Sequence, residues 1–281
     1  MSRTVVLLTA AALVAAGASA QSAPASAPDS ASAPLFAAPD WALVGGFAAA
    51  QLALFPFDED VRRGTARMRS GSTDAVSDVL RPLGRLDAIY IGAVAAYALG
   101  RVADRQRLAD LGLHTFVSIT LANAMTGGLK GLGGRARPWI LEVQGIDSTW
   151  VYHGSREWKL FAGFTDGGPR QSYPSGHTTN AFALATVLSM ELGGVTPWLA
   201  YPIAAGVGWS RLNDEVHWST DVVMGALVGI VAGRLVVRYG HRRGSWLERT
   251  LLLEPGRSGA GVMAGLRVHV GSVLQAEPAR Y

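Results

Sequence analysis

The sequence predicts an all-α bundle of about six helices, with a small β-hairpin appended at the C-terminus. Three observations carry this prediction. Six apolar segments of helical length follow one another from Trp41 onward. Gly and Pro punctuate the gaps between them, where helices stop. Charge is sparse: 16% of the 281 residues are charged and 49% are apolar, against a usual charged share of roughly a quarter. That balance points to a membrane or envelope protein.

The chain opens on a secretory signal, residues 1–20. Arg3 supplies the positive start, Val5 to Ala16 the apolar stretch, and Ala18-Ser19-Ala20 a small-residue cleavage site. Residues 21–39 are mostly Ala, Ser and Pro, with Leu35 and Phe36 the only large apolar side chains. A segment with so little to bury is expected to be a disordered linker. The helical domain, residues 40–245, then holds helices near Trp41–Leu54, Leu86–Gly100, Leu108–Leu129, Thr178–Leu192, Pro197–Gly208 and Ser219–Val237. Trp139–Tyr173 has no clear period and reads as a long functional loop. In residues 246–281, Leu266, Val268 and Val270 alternate with Arg267 and His269 after a Gly-rich turn, the pattern of a hairpin.

Composition excludes several chemistries. The chain has no cysteine, so disulfides, thiolate catalysis and Cys-ligated zinc are absent. The net charge of +4 is scattered in short groups, which gives no nucleic-acid face. Only two basic residues are lysine, Lys130 and Lys159; the rest are arginine.

Three short blocks carry chemistry. Lys130 is followed after six residues by Arg137-Pro138, at the end of a predicted helix; two fixed cations suit an oxyanion. Pro174-Ser175-Gly176-His177 opens a helix. Ser175 is a candidate N-cap, Gly176 lets backbone N–H groups approach a ligand, and a helix start is an anion site. Ser210-Arg211 is followed by His217 and Asp221, whose i, i+4 spacing places imidazole and carboxylate on one helix face. Each block alone has an ordinary structural explanation. Together they lie at alternating helix ends, which share one face of an up-down bundle. Three cations, a helix start and two histidines converging there point to phosphoryl transfer. The residues alone leave open which histidine attacks phosphorus, although the spacing to Asp221 favours His217.

The pattern K-x6-R-P, P-S-G-H, S-R-x5-H-x3-D resembles the signature of the type-2 phosphatidic acid phosphatases, shared with bacterial class A acid phosphatases and vanadium haloperoxidases. All eleven specified positions match, within residues 85–240. The resemblance implies that His217 is the nucleophile, oriented by Asp221, and that His177 protonates the leaving oxygen. It implies that Lys130, Arg137, Arg211, Ser175 and the backbone at Gly176 hold the phosphate. No cofactor or metal is expected; vanadate would act as an inhibitor, or as the cofactor if the chain were a haloperoxidase. A non-catalytic envelope protein is the third alternative. His114 is expected to be a packed mid-helix residue, and His153 lies in the long loop.

The expected partner is a phosphate-bearing substrate, with lipid phosphates among the candidates; phosphatidic acid, undecaprenyl pyrophosphate, lipid A phosphates and nucleotides all fit the motifs. Membrane association follows from the composition. Segments such as Trp41–Phe57, Leu111–Leu129 and Leu192–Ser210 are short, or carry polar residues or prolines. If every helix spanned, the Arg-rich end Arg234–Arg243 would face outward, against the positive-inside rule. A periplasmic bundle is therefore preferred to an integral membrane enzyme.

Overall fold

The computed structural model describes residues 36–140 and 154–243. The predicted signal peptide, most of the linker, the C-terminal hairpin and His153 lie outside these residues. The described helices are α1 (Ala38–Leu54), α2 (Asp58–Met68), α3 (Gly71–Leu80), α4 (Leu86–Val102), α5 (Gln106–Gly133), α6 (Ala162–Thr165), α7 (Gly176–Leu192), α8 (Thr196–Asn213) and α9 (Ser219–Arg243). The six predicted helices are α1, α4, α5, α7, α8 and α9. Two corrections concern short helices. Residues 58–80 form α2 and α3, which the apolar pattern missed because α2 begins Asp-Glu-Asp and carries Arg62, Arg63 and Arg67. The predicted loop 139–173 contains α6 and returns to the bundle through a β-bridge between Arg135 and Trp158.

Helix α1 starts at Ala38, so the linker ends earlier than its composition implied. Asp40 explains the start. Its carboxylate reaches back to the Ala37 N–H at 2.8 Å, as an N3 acid does in a capping box. The same carboxylate accepts from Arg234 at 2.7 Å and from Arg238 at 2.5 Å, which ties α1 to the far end of α9. At the other end of the chain's longest helix, α5, Gly134 adopts a left-handed conformation (φ 56°). A side chain there would meet the Lys159 carbonyl, its Cβ at 1.9 Å. The turn therefore needs glycine, and it redirects residues 135–137 across the end of the bundle.

Helices α5, α7, α8 and α9 form the centre, with Phe182, Val207, Val222 and Ile230 buried between them. The closest approach is α7 on α9. Gly225, Gly229 and Gly233 recur every four residues on α9. Cβ atoms added there would fall 2.6 Å from the Ser175 carbonyl, 2.4 Å from the Thr179 carbonyl and 2.8 Å from Thr186 Cβ. This small-residue seam is how apolar helices bring their backbones together.

The periphery is apolar as well. Ala38–Met68 and Ser219–His241 are long and apolar enough to cross a membrane, with mean hydropathies of 1.3 and 1.8. The pair 71–84 and 86–102, bent by 49°, also passes the test when taken together. Trp41–Phe57 is a candidate from the sequence, whereas Ser219–His241 emerges as a candidate span in the structure. The protein covers 83% of the second apolar stretch but only 17% of the first. Leu52, Val79, Ile91, Leu99, Val102, Trp198 and Leu199 point outward. An apolar outer face this extensive suits acyl chains better than water.

The glycine seam makes a prediction. Gly229→Leu should destabilise the protein by about 1–3 kcal/mol through overpacking. Gly127→Ala, where a Cβ meets nothing within 4 Å, should stabilise it or leave it unchanged. Thermal unfolding in detergent compares the two; equal loss in both would show that the seam is not tight.

Candidate active site

The site is built where α5 ends and α7 and α9 begin. Lys130, in the last turn of α5, donates to the Gln171 carbonyl at 2.5 Å. Arg137 donates to the same carbonyl at 3.2 Å, to Gly168 O at 2.8 Å and to Val216 O at 3.0 Å. Its Nη1 lies 3.4 Å from His217 Nε2. The first block and His217 therefore meet, as the alternating helix ends predicted. The start of α7 is fastened to that of α9 by the Ser175 N–H, which donates to the Asp221 carbonyl at 2.9 Å.

Two local expectations are corrected. Ser175 occupies the N-cap position of α7, but its hydroxyl accepts from the Thr178 hydroxyl at 2.9 Å and caps no backbone amide. The early N–H groups of α7, beginning at Gly176, are thus not blocked by the cap side chain. His217 and Asp221 do not share a helical face, because α9 begins at Ser219. Asp221 sits in the first turn of α9. Its Oδ2 reaches back to the Trp218 N–H at 2.9 Å, an N3 acid acting on the residue before the helix. That reach brings Oδ2 to 3.5 Å from His217 Nδ1, which has no hydrogen-bond partner. The contact is too long for a strong hydrogen bond, so Asp221 acts on the imidazole as a nearby charge.

Arg211 is buried near the end of α8 and is ion-paired with Asp214. Its Nε finds no partner. His177 opens onto a vestibule of about 730 Å³ that it shares with Arg81, Arg85 and Tyr90. Burial, and then the charges of Arg211, Arg137, Arg81 and Lys130, push His177 down to about 4. Burial also pushes His217 down to about 3, against the pull of Asp221 and with help from Arg137 and Lys130. Lys130 is brought down to about 7 by burial and by Arg137. Crowded cations leave these groups poised to take up protons when an anion arrives.

The sequence reading missed Arg135 and Asp58. Arg135 is fully buried. It donates to Asp58 at 2.6 Å, to Asp221 at 2.6 Å, to the Thr220 hydroxyl at 2.7 Å and to the Ser155 carbonyl at 2.7 Å. Its guanidinium lies 5.0–5.6 Å from the ring centres of Phe55, Trp158 and Trp218. Asp58 accepts from Ser219 and Thr220 at the start of α9. Asp221 also accepts from Ser172 at 2.5 Å. Arg135 falls inside the six-residue spacer between Lys130 and Arg137, and Asp58 lies outside every motif. Neither carried a sequence signal beyond its charge. Arg81 was missed for the same reason.

Residues 111–245 match the family model of the PAP2 superfamily. The helical core of this chain is similar to the PAP2 superfamily over those residues. A lipid A 1-phosphatase of Porphyromonas gingivalis is 40% identical over 93 residues, covering 32% of this chain and 19% of that protein. A lipid A 4'-phosphatase of the same organism is 32% identical over 96 residues, covering 34% and 41%. The chain thus spans less than half the length of either relative. The crystal structure of a transmembrane PAP2 type phosphatidylglycerolphosphate phosphatase from Bacillus subtilis shares the fold. Its TM-score is 0.54 at 22% identity, over 74% of this chain and 98% of that one.

This site makes two predictions. Sulfate keeps its charge between pH 7 and 9, whereas free Lys130 titrates at about 7. Its ammonium is present below that pH and lost above it, so sulfate should bind more weakly as pH rises. Lys130→Met should flatten the dependence; calorimetric titration of both proteins checks the slope. Arg135→Met should cost about 3–5 kcal/mol, because two buried carboxylates lose their counter-charge. Adding Asp58→Asn should recover part of that loss, although Asp58→Asn alone destabilises. Denaturant unfolding of the double-mutant cycle tests this coupling, and additive losses would refute it.

Proposed function

We propose that this chain is a phosphatase of lipid-linked phosphates working through a phosphohistidine. The observation that carries the reading is the environment of His217. Its Nε2 faces Arg137 at 3.4 Å in a pocket of cations, while its Nδ1 faces the Asp221 carboxylate. An imidazole so placed can form a bond to phosphorus and hold the resulting positive charge. Lys130, Arg137 and Arg211, with the N–H groups at Gly176, neutralise the phosphoryl oxygens.

In the first step His217 Nε2 forms the N–P bond as the P–O bond to the leaving group breaks. His177 delivers its proton to the departing oxygen. In the second step neutral His177 takes a proton from water, the water oxygen bonds to phosphorus, and the N–P bond breaks to release phosphate. Free His177 titrates near 4; the charge of bound phosphate raises it toward the protonated form that the first step needs. The chemistry calls for no metal, and vanadate, a phosphate mimic, is expected to inhibit.

Two features support a lipid substrate. An apolar cleft of about 340 Å³, lined by Leu83, Ile89, Ala93, Leu111, Leu184 and other apolar residues, uses the same helix α4 that walls the His177 vestibule. The outward apolar residues of α1, α4 and α8 support a position for that cleft among acyl chains. We place the enzyme in the cell envelope, as its apolar outer helices suggest, with its site facing the periplasm. Intact spheroplasts should then hydrolyse a membrane-impermeant aryl phosphate; hydrolysis only after lysis would overturn that orientation.

The decisive experiment separates the two histidines. His217→Ala should abolish turnover, and rapidly quenched wild-type enzyme should carry acid-labile phosphate on His217. His177→Ala should slow substrates with poor leaving groups by about 10²–10⁴-fold, and an aryl phosphate with an acidic leaving group should recover much of the loss. Equal slowing of both substrates would remove His177 as the acid. A quenched enzyme without phosphate on His217 would remove the covalent route.

A further inference from the structure

At the end of the bundle opposite the phosphate pocket, helices α5, α7 and α9 meet again. Each contributes one residue to a second cluster: His114 near the start of α5, Glu191 near the end of α7 and His241 near the end of α9. Lys130 lies sixteen positions after His114 along α5, which puts about 24 Å between the cluster and the phosphate site. His114 Nδ1 lies 2.6 Å from Glu191 Oε1, and His241 Nε2 lies 3.1 Å from the same oxygen. The two imidazole rings meet edge to face, with centres 5.6 Å apart. One ligand atom from each residue falls within 4.8 Å of the other two.

We propose that His114, Glu191 and His241 form a binding site for a zinc-type divalent cation. The donor set is the first argument. Two imidazole nitrogens and a carboxylate oxygen are borderline ligands of the kind zinc takes at about 2.0–2.2 Å. Donors at that bond length on a tetrahedron stand about 3.3 Å apart. Separations of 2.6 and 3.1 Å lie near that spacing, and the two ring nitrogens lie within 4.8 Å of each other.

The build of the site is the second argument. His114 and the Glu191 side chain are almost completely buried, while the His241 side chain is 56% exposed. Two ligands are thus preorganised, and the third stands at the rim, where an ion can enter and a water can complete the coordination. Gly240 makes the arrangement possible. A Cβ at that position would fall 2.1 Å from His114 Nε2, so only glycine leaves room for the ring where it stands. The bound ion would pin three helices that meet here through the His114–Glu191 and His241–Glu191 contacts. It would leave the phosphate pocket untouched, so the site is structural and independent of the phosphatase reading.

Tag-free full chain in detergent micelles, stripped with chelator and titrated with zinc chloride, tests this. Elemental analysis should find one zinc per chain, and zinc should raise the unfolding temperature. His241→Ala, at the exposed rim, and Glu191→Gln should each weaken zinc binding by about tenfold or more and abolish the temperature shift. Absence of stoichiometric zinc in the wild type would overturn the proposal. So would equal zinc binding by the wild type and both variants, which would mark an adventitious ion only.

Discussion

The Arg135 guanidinium, held between Asp58 and Asp221, is the interaction on which the rest of the site depends. All three side chains are completely buried. Such ions are costly to desolvate, and they persist only when every lone pair and proton is satisfied. Here that condition is met closely. Asp58 spends its oxygens on Ser219, Thr220 and Arg135, so it fixes the first residues of α9. Asp221 spends its oxygens on Arg135, Ser172 and the Trp218 N–H, so it fixes the residue next to His217. The aromatic faces of Phe55, Trp158 and Trp218 surround the cation where water would otherwise stand. One ion therefore joins the segment after α1, the loop after α5 and the start of α9.

The pocket above this buried network has the opposite electrostatic character. Asp58 and Asp221 outnumber Arg135, so the network beneath carries a surplus negative charge. Lys130, Arg137, Arg211 and Arg81 supply positive charge around His177 and His217. The surplus below favours a positive imidazole at His217, and the cations above disfavour it until an anion arrives. Burial and the neighbouring cations lower both histidines, and an anion between them would raise both again.

The apolar half of the molecule serves this arrangement by letting α7 and α9 approach closely. The Gly225, Gly229 and Gly233 seam removes side chains from the contact. The start of α7 then comes near enough to α9 for the Ser175 N–H to reach the Asp221 carbonyl. That approach sets the start of α7 beside the turn that carries His217. The same stripe explains why an apolar bundle with an apolar outer surface still has a defined arrangement of helices.

The sequence by itself determined the six long helices, because apolar segments bounded by Gly and Pro have few other ways to satisfy their backbone. It also singled out Lys130, Arg137, Ser175, Gly176, His177, Arg211, His217 and Asp221, because their residue types recur at fixed spacings at helix ends. It could not show α2 and α3, whose charged residues hide the apolar period. It misassigned His217 to a helix that starts two residues later, since spacing alone cannot distinguish a shared face from a cap reaching backward. Arg135, Asp58 and Arg81 were decided only by the tertiary structure. A charged residue looks the same in sequence whether solvated or buried, and its meaning comes from the partners that distant segments bring to it. For the same reason His114 read as a packed histidine until Glu191 and His241, 77 and 127 residues away, closed around it.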